Sequence, residues 1–275
     1  MKTKAWRRSA AALACLATAA LCGCGKPFTS ASFINDQRFL AIIADPLEAS
    51  PGDPFTFSAV ITNKDGSLYA GPVAWAVVTG DTLREQGQAN IDPNDEYLQM
   101  PGQPGFAWLA PAAADLPAKF GSPEKNGYLV TVAAMAFENG DLNGASFAAF
   151  KLFIISDKPA AERDINPTIK YVDVFANGKQ ITPGTKGSYF APRGTAVLEA
   201  QPEQNLGALT YHWFATYEDF APSLGATQKL APDADGGYAV YLVLRQSYFF
   251  EHDDSTKTRI TGEDWRRTEV VFYGS

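Results

Sequence analysis

From Phe39 onward, apolar residues come in short runs that alternate with polar positions and stop at Gly, Pro, Asn or Asp. Phe39–Ala44, Phe55–Thr62, Val73–Val78, Phe106–Leu109, Tyr128–Phe137 and Phe147–Ile155 form a first series, each of strand length and bounded by turn residues. A polar stretch carrying Pro159 and Pro167 follows at 156–168, the composition of a linker. A second series then runs Ile169–Phe175, Thr195–Ala200, Leu209–Ala215, Tyr238–Arg245 and Thr268–Tyr273. No stretch of comparable length carries a 3.6-residue period with caps. Ala110–Ala118 is Ala-rich, but Pro111 and Pro117 leave room for a helical turn at most.

The two series repeat each other. Pro51-Gly52 ahead of Phe55-Thr-Phe-Ser-Ala59 corresponds to Pro192-Arg-Gly194 ahead of Ala196-Val-Leu-Glu-Ala200, one residue out of phase. Val73-Ala-Trp75-Ala-Val77 matches Tyr211-His-Trp213-Phe-Ala215, and Gly127-Tyr128-Leu-Val130-Thr-Val132 matches Gly237-Tyr238-Ala-Val240-Tyr-Leu242. The tryptophans lie 138 residues apart and the tyrosines 110, so this is a duplicated architecture with unequal loops and not a fixed-period solenoid. Each tryptophan sits mid-strand with apolar residues two positions to either side, which places it on the inward face of a half-buried sheet.

These motifs resemble strands B, C and F of bacterial immunoglobulin-like domains of the PKD and fibronectin type, through Pro-Gly-x-x-Phe-x-Phe-x-Ala, Tyr-x-Trp and the run Gly236, Tyr238, Val240, Leu242. The resemblance covers most of 38–273 and rests on core-packing patterns, so it implies a fold far more than an activity. It departs in lacking the inter-sheet cysteine pair of antibody domains and the Gly-Asp-Gly turn of PKD repeats. The expected fold class is all-β: two tandem immunoglobulin-like β-sandwiches at 38–156 and 169–275, joined by a linker at 157–168.

The N-terminus reads as a targeting signal over 1–23. Lys2, Lys4, Arg7 and Arg8 form a basic region, and Ser9 to Leu21 is an Ala/Leu-rich segment shorter than the ~17–25 residues that span a bilayer. It ends in Leu21-Cys22-Gly23-Cys24, which resembles a bacterial lipobox. That resemblance makes Cys24 the lipidated first residue of the mature protein, a palmitate-bearing membrane anchor in the cell envelope. Gly25 in the second mature position resembles the sorting context for the outer membrane. Two or three acyl chains hold far better than one, each buried CH₂ contributing about 0.8 kcal/mol. Residues 24–37 lack a sustained period and read as a tether, which at ~3.3–3.6 Å per residue reaches up to about 45 Å.

The chain holds 23 Lys+Arg against 30 Asp+Glu, and loss of the four basic residues of the signal makes it more acidic still. With no basic run longer than Arg266-Arg267, a nucleic-acid partner is not expected. Of three cysteines, Cys15 and Cys22 leave with the signal and Cys24 carries lipid, so stability rests on burial without a disulfide.

Candidate chemistry is sparse. His212 and His252 are forty residues apart, which argues against a zinc site. His212, between Tyr211 and Trp213, points away from the tryptophan's face as an ordinary strand histidine. Asp233-Ala-Asp235-Gly236-Gly237 and Asp92-Pro-Asn-Asp95-Glu96 faintly resemble calcium loops but read better as turns. No nucleophile elbow, phosphate-cradling loop or His-Glu-x-x-His occurs. No catalytic residue, metal or cofactor is therefore expected.

The most unusual stretch is Ser247–Arg267, where aromatics flank a charged tip. Phe249, His252, Asp253, Asp254 and Trp265 are its candidate ligand-binding residues, because aromatics on a long connection give contact area at low entropic cost. The competing expectation is a strand-extended hairpin whose rings cap the sandwich end. Functionally, the sequence points to a non-catalytic, lipid-anchored envelope protein that binds an envelope protein or glycan, or acts as a spacer. The alternatives are a carbohydrate-active enzyme with paired carboxylates and a subunit of a larger envelope assembly.

Overall fold

A computed structural model of the chain describes residues 32–78, 99–102, 104–142, 145–203, 208–221 and 223–274. Residues 1–31, Cys24 among them, and the Asp92–Glu96 stretch lie outside the described residues. Ala31–Ser275 forms one compact unit, and no helix among the described residues is long and apolar enough to cross a membrane.

Each of the eleven expected runs forms a strand; five further short strands fall outside those runs, and the last two strands extend well beyond theirs. The first half contributes β1 (Arg38–Asp45), β2 (Glu48–Ala49), β3 (Pro54–Thr62), β4 (Val73–Val78), β5 (Gln99–Gly102), β6 (Gly105–Leu109), β7 (Tyr128–Phe137) and β8 (Ser146–Ile155). The second contributes β9 (Ile169–Ala176), β10 (Lys179–Ile181), β11 (Tyr189–Pro192), β12 (Ala196–Pro202), β13 (Leu209–Ala215), β14 (Thr227–Leu230), β15 (Gly236–Glu251) and β16 (Lys257–Tyr273). The Ala-rich, Pro-bounded segment yields a single short helix, α1 (Leu116–Phe120), with a proline in its first turn.

The sheet orders make the duplication explicit. In the first sandwich β1-β3-β6 accompanies β2-β8-β7-β4-β5; in the second β10-β9-β12-β14 accompanies β11-β16-β15-β13. Setting aside β5 and β10, the two plans coincide strand for strand. The coincidence includes a short parallel pairing onto the last strand, β2 on β8 and β11 on β16, while the other pairings are antiparallel. The fold is all-β, built of two immunoglobulin-like sandwiches.

Each core forms around its tryptophan. Trp75 is 0% exposed, and the rings of Phe57 and Phe106 lie within 6.4 Å and 6.0 Å of it. Trp213 occupies the same place in β13 among Val174, Leu198, Leu242 and Phe272. Its Nε1 donates to the Gly225 carbonyl at 2.9 Å, whereas Trp75 Nε1 is buried without a partner among the described residues.

The sandwiches differ in one respect that sets their mutual geometry. β7 and β8 have ten residues each, but β15 and β16 have 16 and 17 and stay paired from Gly236↔Phe272 to Glu251↔Lys257. The excess length lies on the first sandwich. Near the hairpin's base, Tyr241, Val243 and Trp265 pack on Leu40, Ala41 and Val60. Near its tip, on the opposite face of the ribbon, Phe250 and Ile260 are buried with Leu47 and Ile154. Strand alternation lets one hairpin contact its neighbour through both faces.

Two segments expected to be loose are tied down. Residues 32–37, assigned to the tether, dock on the free edge of β13: Ile34 N–H donates to the Ala215 carbonyl at 2.7 Å, Ala215 N–H to the Ser32 carbonyl at 2.8 Å, and Ile34 is buried. An edge strand offers unpaired backbone groups, and this segment satisfies them. The 157–168 linker is also held at several points, by side chains and a backbone N–H that bond to the first sandwich. Asn166 Nδ2 donates to the Ala44 carbonyl at 2.7 Å while its Oδ1 accepts from Glu263 N–H at 3.0 Å. The buried Glu48 carboxylate accepts from Ser156 Oγ, Asp164 N–H and Lys158 Nζ at 2.5, 2.8 and 3.2 Å. Gly262 permits the crossing, since a Cβ there would stand 2.7 Å from the Ile165 carbonyl oxygen.

Truncating Trp75 or Trp213 to alanine is expected to cost about 3–5 kcal/mol by denaturant titration. Because the hairpin's apolar residues are shared, the wild type should unfold in one calorimetric transition. Two resolved transitions, or wild-type melting of both variants, would contradict this packing.

Candidate functional site: the cleft between the sandwiches

The hairpin tip does not present its predicted residues as one surface. Phe249 is exposed at 62%, but Phe250 is buried and Trp265 stacks on Tyr241 with centroids 6.3 Å apart. His252 Nδ1 lies 2.6 Å from Glu124 Oε2, and its Nε2 lies 2.7 Å from Thr258 Oγ1. Asp253 accepts from Lys125 N–H at 2.8 Å, and Asp254 accepts from Thr256 N–H at 2.9 Å within its own turn. His252 and Asp253 thus hold the Glu124–Asn126 turn of the first sandwich, helped by Lys125 Nζ on Glu251 at 3.2 Å. The strand-extended hairpin is present, but it caps the other sandwich. That contact engages His252 and Asp253, while Phe249, Asp253 and Asp254 remain exposed.

Other acidic candidates are similarly occupied. Asp235 pairs with Arg193, 42 residues earlier, at 3.0 Å. Among the described residues no group of three or more His, Cys, Asp or Glu side chains is placed to hold a metal ion.

What the crossing hairpin creates is a cleft of about 520 Å³ between the sandwiches. β1 contributes Phe39 to Ile42, β8 contributes Ala149 to Leu152, β13 contributes His212, and the hairpin contributes Arg245 and Arg259 to Glu263. At its floor Lys151 Nζ is 3.1 Å from Glu263 Oε2, and Arg245 Nε donates to Glu263 Oε1 at 2.6 Å. Lys151 and Glu263 are both buried. The lysine also donates to the Thr261 carbonyl, and Arg245 Nη2 to that of Leu40 at 3.4 Å. Burial pushes the Lys151 ammonium below its ordinary pKa, and the Glu263 carboxylate opposes that shift. With the carboxylate at contact and a backbone carbonyl accepting, the lysine is held as the charged partner of a buried pair.

The upper cleft carries basic groups of a different kind. Arg259 donates from Nε and Nη2 to a single acceptor, Ser247 Oγ, at 2.9 and 2.6 Å. His212 makes no hydrogen bond among the described residues, and its pKa is lowered by burial and then by the Arg245 guanidinium, with Glu263 opposing. Its position follows from alternation: Trp213 faces the second core, so His212 faces the first sandwich.

Sequence reasoning placed His212 on the correct face but did not foresee what would cover it, and it passed over Lys151, Arg245, Arg259 and Glu263. A usable signal existed for one of them. Lys151 shares the inward parity of Phe153 and Ile155 in an otherwise apolar strand, and a lysine there requires a buried partner.

No family model matches the chain, and no curated protein matches it. Solved structures with similar arrangements include the fibronectin(III)-like modules of Clostridium thermocellum CbhA, at 11% identity over 86% of this chain and 94% of that one, with a TM-score of 0.25. The D0-D1 domain of intimin aligns at 15% identity over 86% and 98%, with a TM-score of 0.25. Latent PorU from Porphyromonas gingivalis aligns at 9% over 88% of this chain but 24% of its own, again at 0.25. Likeness at that level says nothing of activity, and the sandwich assignment stands on the strand orders themselves.

Removing the ammonium alone, in Lys151→Ala, is expected to cost about 1.5–3 kcal/mol because it leaves the buried Glu263 carboxylate on Arg245 alone. Exchanging both partners, in Lys151→Met with Glu263→Leu, should recover a large part of that loss, and denaturant titrations of the two variants check the comparison. His212 gives a pH signature. Its folded pKa lies below the ordinary value of 6.5, so the unfolded chain takes up the proton first as pH falls. The histidine's share of stability is complete above about 6.5 and declines as pH drops from there toward the folded pKa. His212→Gln should flatten that decline, as melting temperatures across this window would reveal.

Proposed function

We propose that the chain is a lipid-anchored, non-catalytic envelope protein in which two immunoglobulin-like sandwiches act as one rigid binding and spacing body. The observation that carries this reading is the β15–β16 hairpin, which grips the first sandwich through both of its faces. The two halves therefore sit in fixed relation, as suits a spacer or a composite binding surface. Flexibly linked domains would instead move independently.

The buried carboxylates support a structural rather than catalytic use. Glu48 is held by Lys158 and Ser156, and Glu263 by Lys151 and Arg245. A glycosidase needs two carboxyl groups free to face a sugar. The anchor rests on the basic N-terminal region, the short apolar segment and Leu21-Cys22-Gly23-Cys24. In this reading Cys24 carries the acyl chains, the protein faces the bacterial envelope at the outer membrane, and its partner is an envelope glycan or protein.

Cys24→Ala is expected to release the protein from membranes and abolish labelling by radioactive palmitate. An alanine variant that still fractionates with membranes, together with an unlabelled wild type, would remove the anchor from this reading.

A further inference from the structure

The cleft floor is internally neutralised only in part. Lys151 and Arg245 at the floor and Arg259 above them line the cleft as cations, against the single carboxylate of Glu263. The unbalanced charge is that of Arg259, which is exposed and so open to a ligand arriving from solvent, a locally basic spot on a chain whose formal charge is −7. Arg259 is the cation with most to offer. Ser247 takes its Nε and Nη2 donors, so the guanidinium is held in one orientation while Nη1 remains uncommitted among the described residues. A fixed guanidinium with spare donors suits a carboxylate. His212, without a hydrogen-bond partner among the described residues, adds a second polar group to the same cleft.

Part of the remaining lining is apolar: Phe150 is 46% exposed, and the half-buried Phe39 lines the same space. A bare inorganic anion would leave these surfaces unused. The volume of about 520 Å³ falls in the range of sites for small organic ligands. The occupant that fits combines one anionic group with a flat C–H face and a rim of hydroxyls.

We propose that this cleft binds an acidic sugar residue, with the uronate carboxylate on Arg259 beside His212 and the sugar's C–H face against Phe150. The proposal deepens the binding half of the function argued above. Its test uses purified protein, so its outcome is independent of the membrane fractionation that tests the anchor.

Isothermal titration of the full-length protein with oligogalacturonate and oligoglucuronate, each beside its methyl ester, reads the site directly. At least one acid form should bind at low salt, and its ester should bind at least about tenfold more weakly, since it loses a charge-assisted hydrogen bond. Arg259→Ala and His212→Ala, checked for wild-type melting, should each weaken the acid form, the arginine variant by about tenfold or more. Equal affinity for acid and ester, unchanged affinity in Arg259→Ala, or no binding of either uronate would overturn the proposal. Inorganic phosphate or a peptide with a free C-terminal carboxylate binding more tightly than both uronates would overturn the sugar assignment.

Discussion

The relation between the two halves of this protein depends on one constraint, the continued pairing of β15 with β16 beyond the sandwich that contains their roots. A two-stranded ribbon is marginal in water without a packed face. Here it has a packed face at both ends. Its base lies on β1 and β3 through Tyr241, Val243 and Trp265, and its tip lies against Leu47 and Ile154 through Phe250 and Ile260. Each fully buried side chain of this size contributes about 1.5–3 kcal/mol, so a few such residues offset the cost of ordering the excursion. The linker at 157–168 and the segment at 32–37 then meet surfaces already in place, which is why both are bonded to those surfaces.

The buried ions follow from the same crossing. Lys151 projects from β8 on the parity of the first core, and Glu263 arrives from the second sandwich to meet it. A buried pair contributes little net stability over apolar residues of equal volume, so its value lies in register. Slipping the ribbon by one residue would reverse the faces of Glu263 and Arg245 and leave Lys151 without a carboxylate. Apolar packing at the tip tolerates small slides far better than a charge does. The ion pair thus fixes where the hairpin stops, and the cleft above it inherits that precision.

How much of this was legible in the sequence depends on the range of the interaction. Period-two alternation and the paired tryptophans disclosed both sandwiches, because inward-facing residues report their own strand's environment. The parallel contacts of β2 and β11 were not legible, being too short to leave a pattern. Tyr248, Phe250 and Ile260 alternate with polar residues as any half-buried strand does, and nothing local shows that the covering surface is Leu47, some 200 residues earlier. Ile34 stood alone in an aperiodic stretch and gave no signal. Lys151 did give one, an inward charge in an apolar run. The cleft as a whole could not be read, because its cations come from strands in both halves and converge only after docking.

Duplication alone would have produced two separate sandwiches, since each has a complete core about its own tryptophan. What makes the pair a composite is an asymmetry between equivalent hairpins, ten residues a side in β7 and β8 but 16 and 17 in β15 and β16. The second hairpin has a sandwich directly upstream on which its added length can lie. The added length meets the neighbour through apolar residues on its faces and through Glu251, His252 and Asp253 at its tip, and it carries further charged residues where it spans the gap. The cleft is therefore a product of the elongation rather than of either sandwich. Its cationic lining lies where both halves must be folded and docked before any ligand could meet all of its groups.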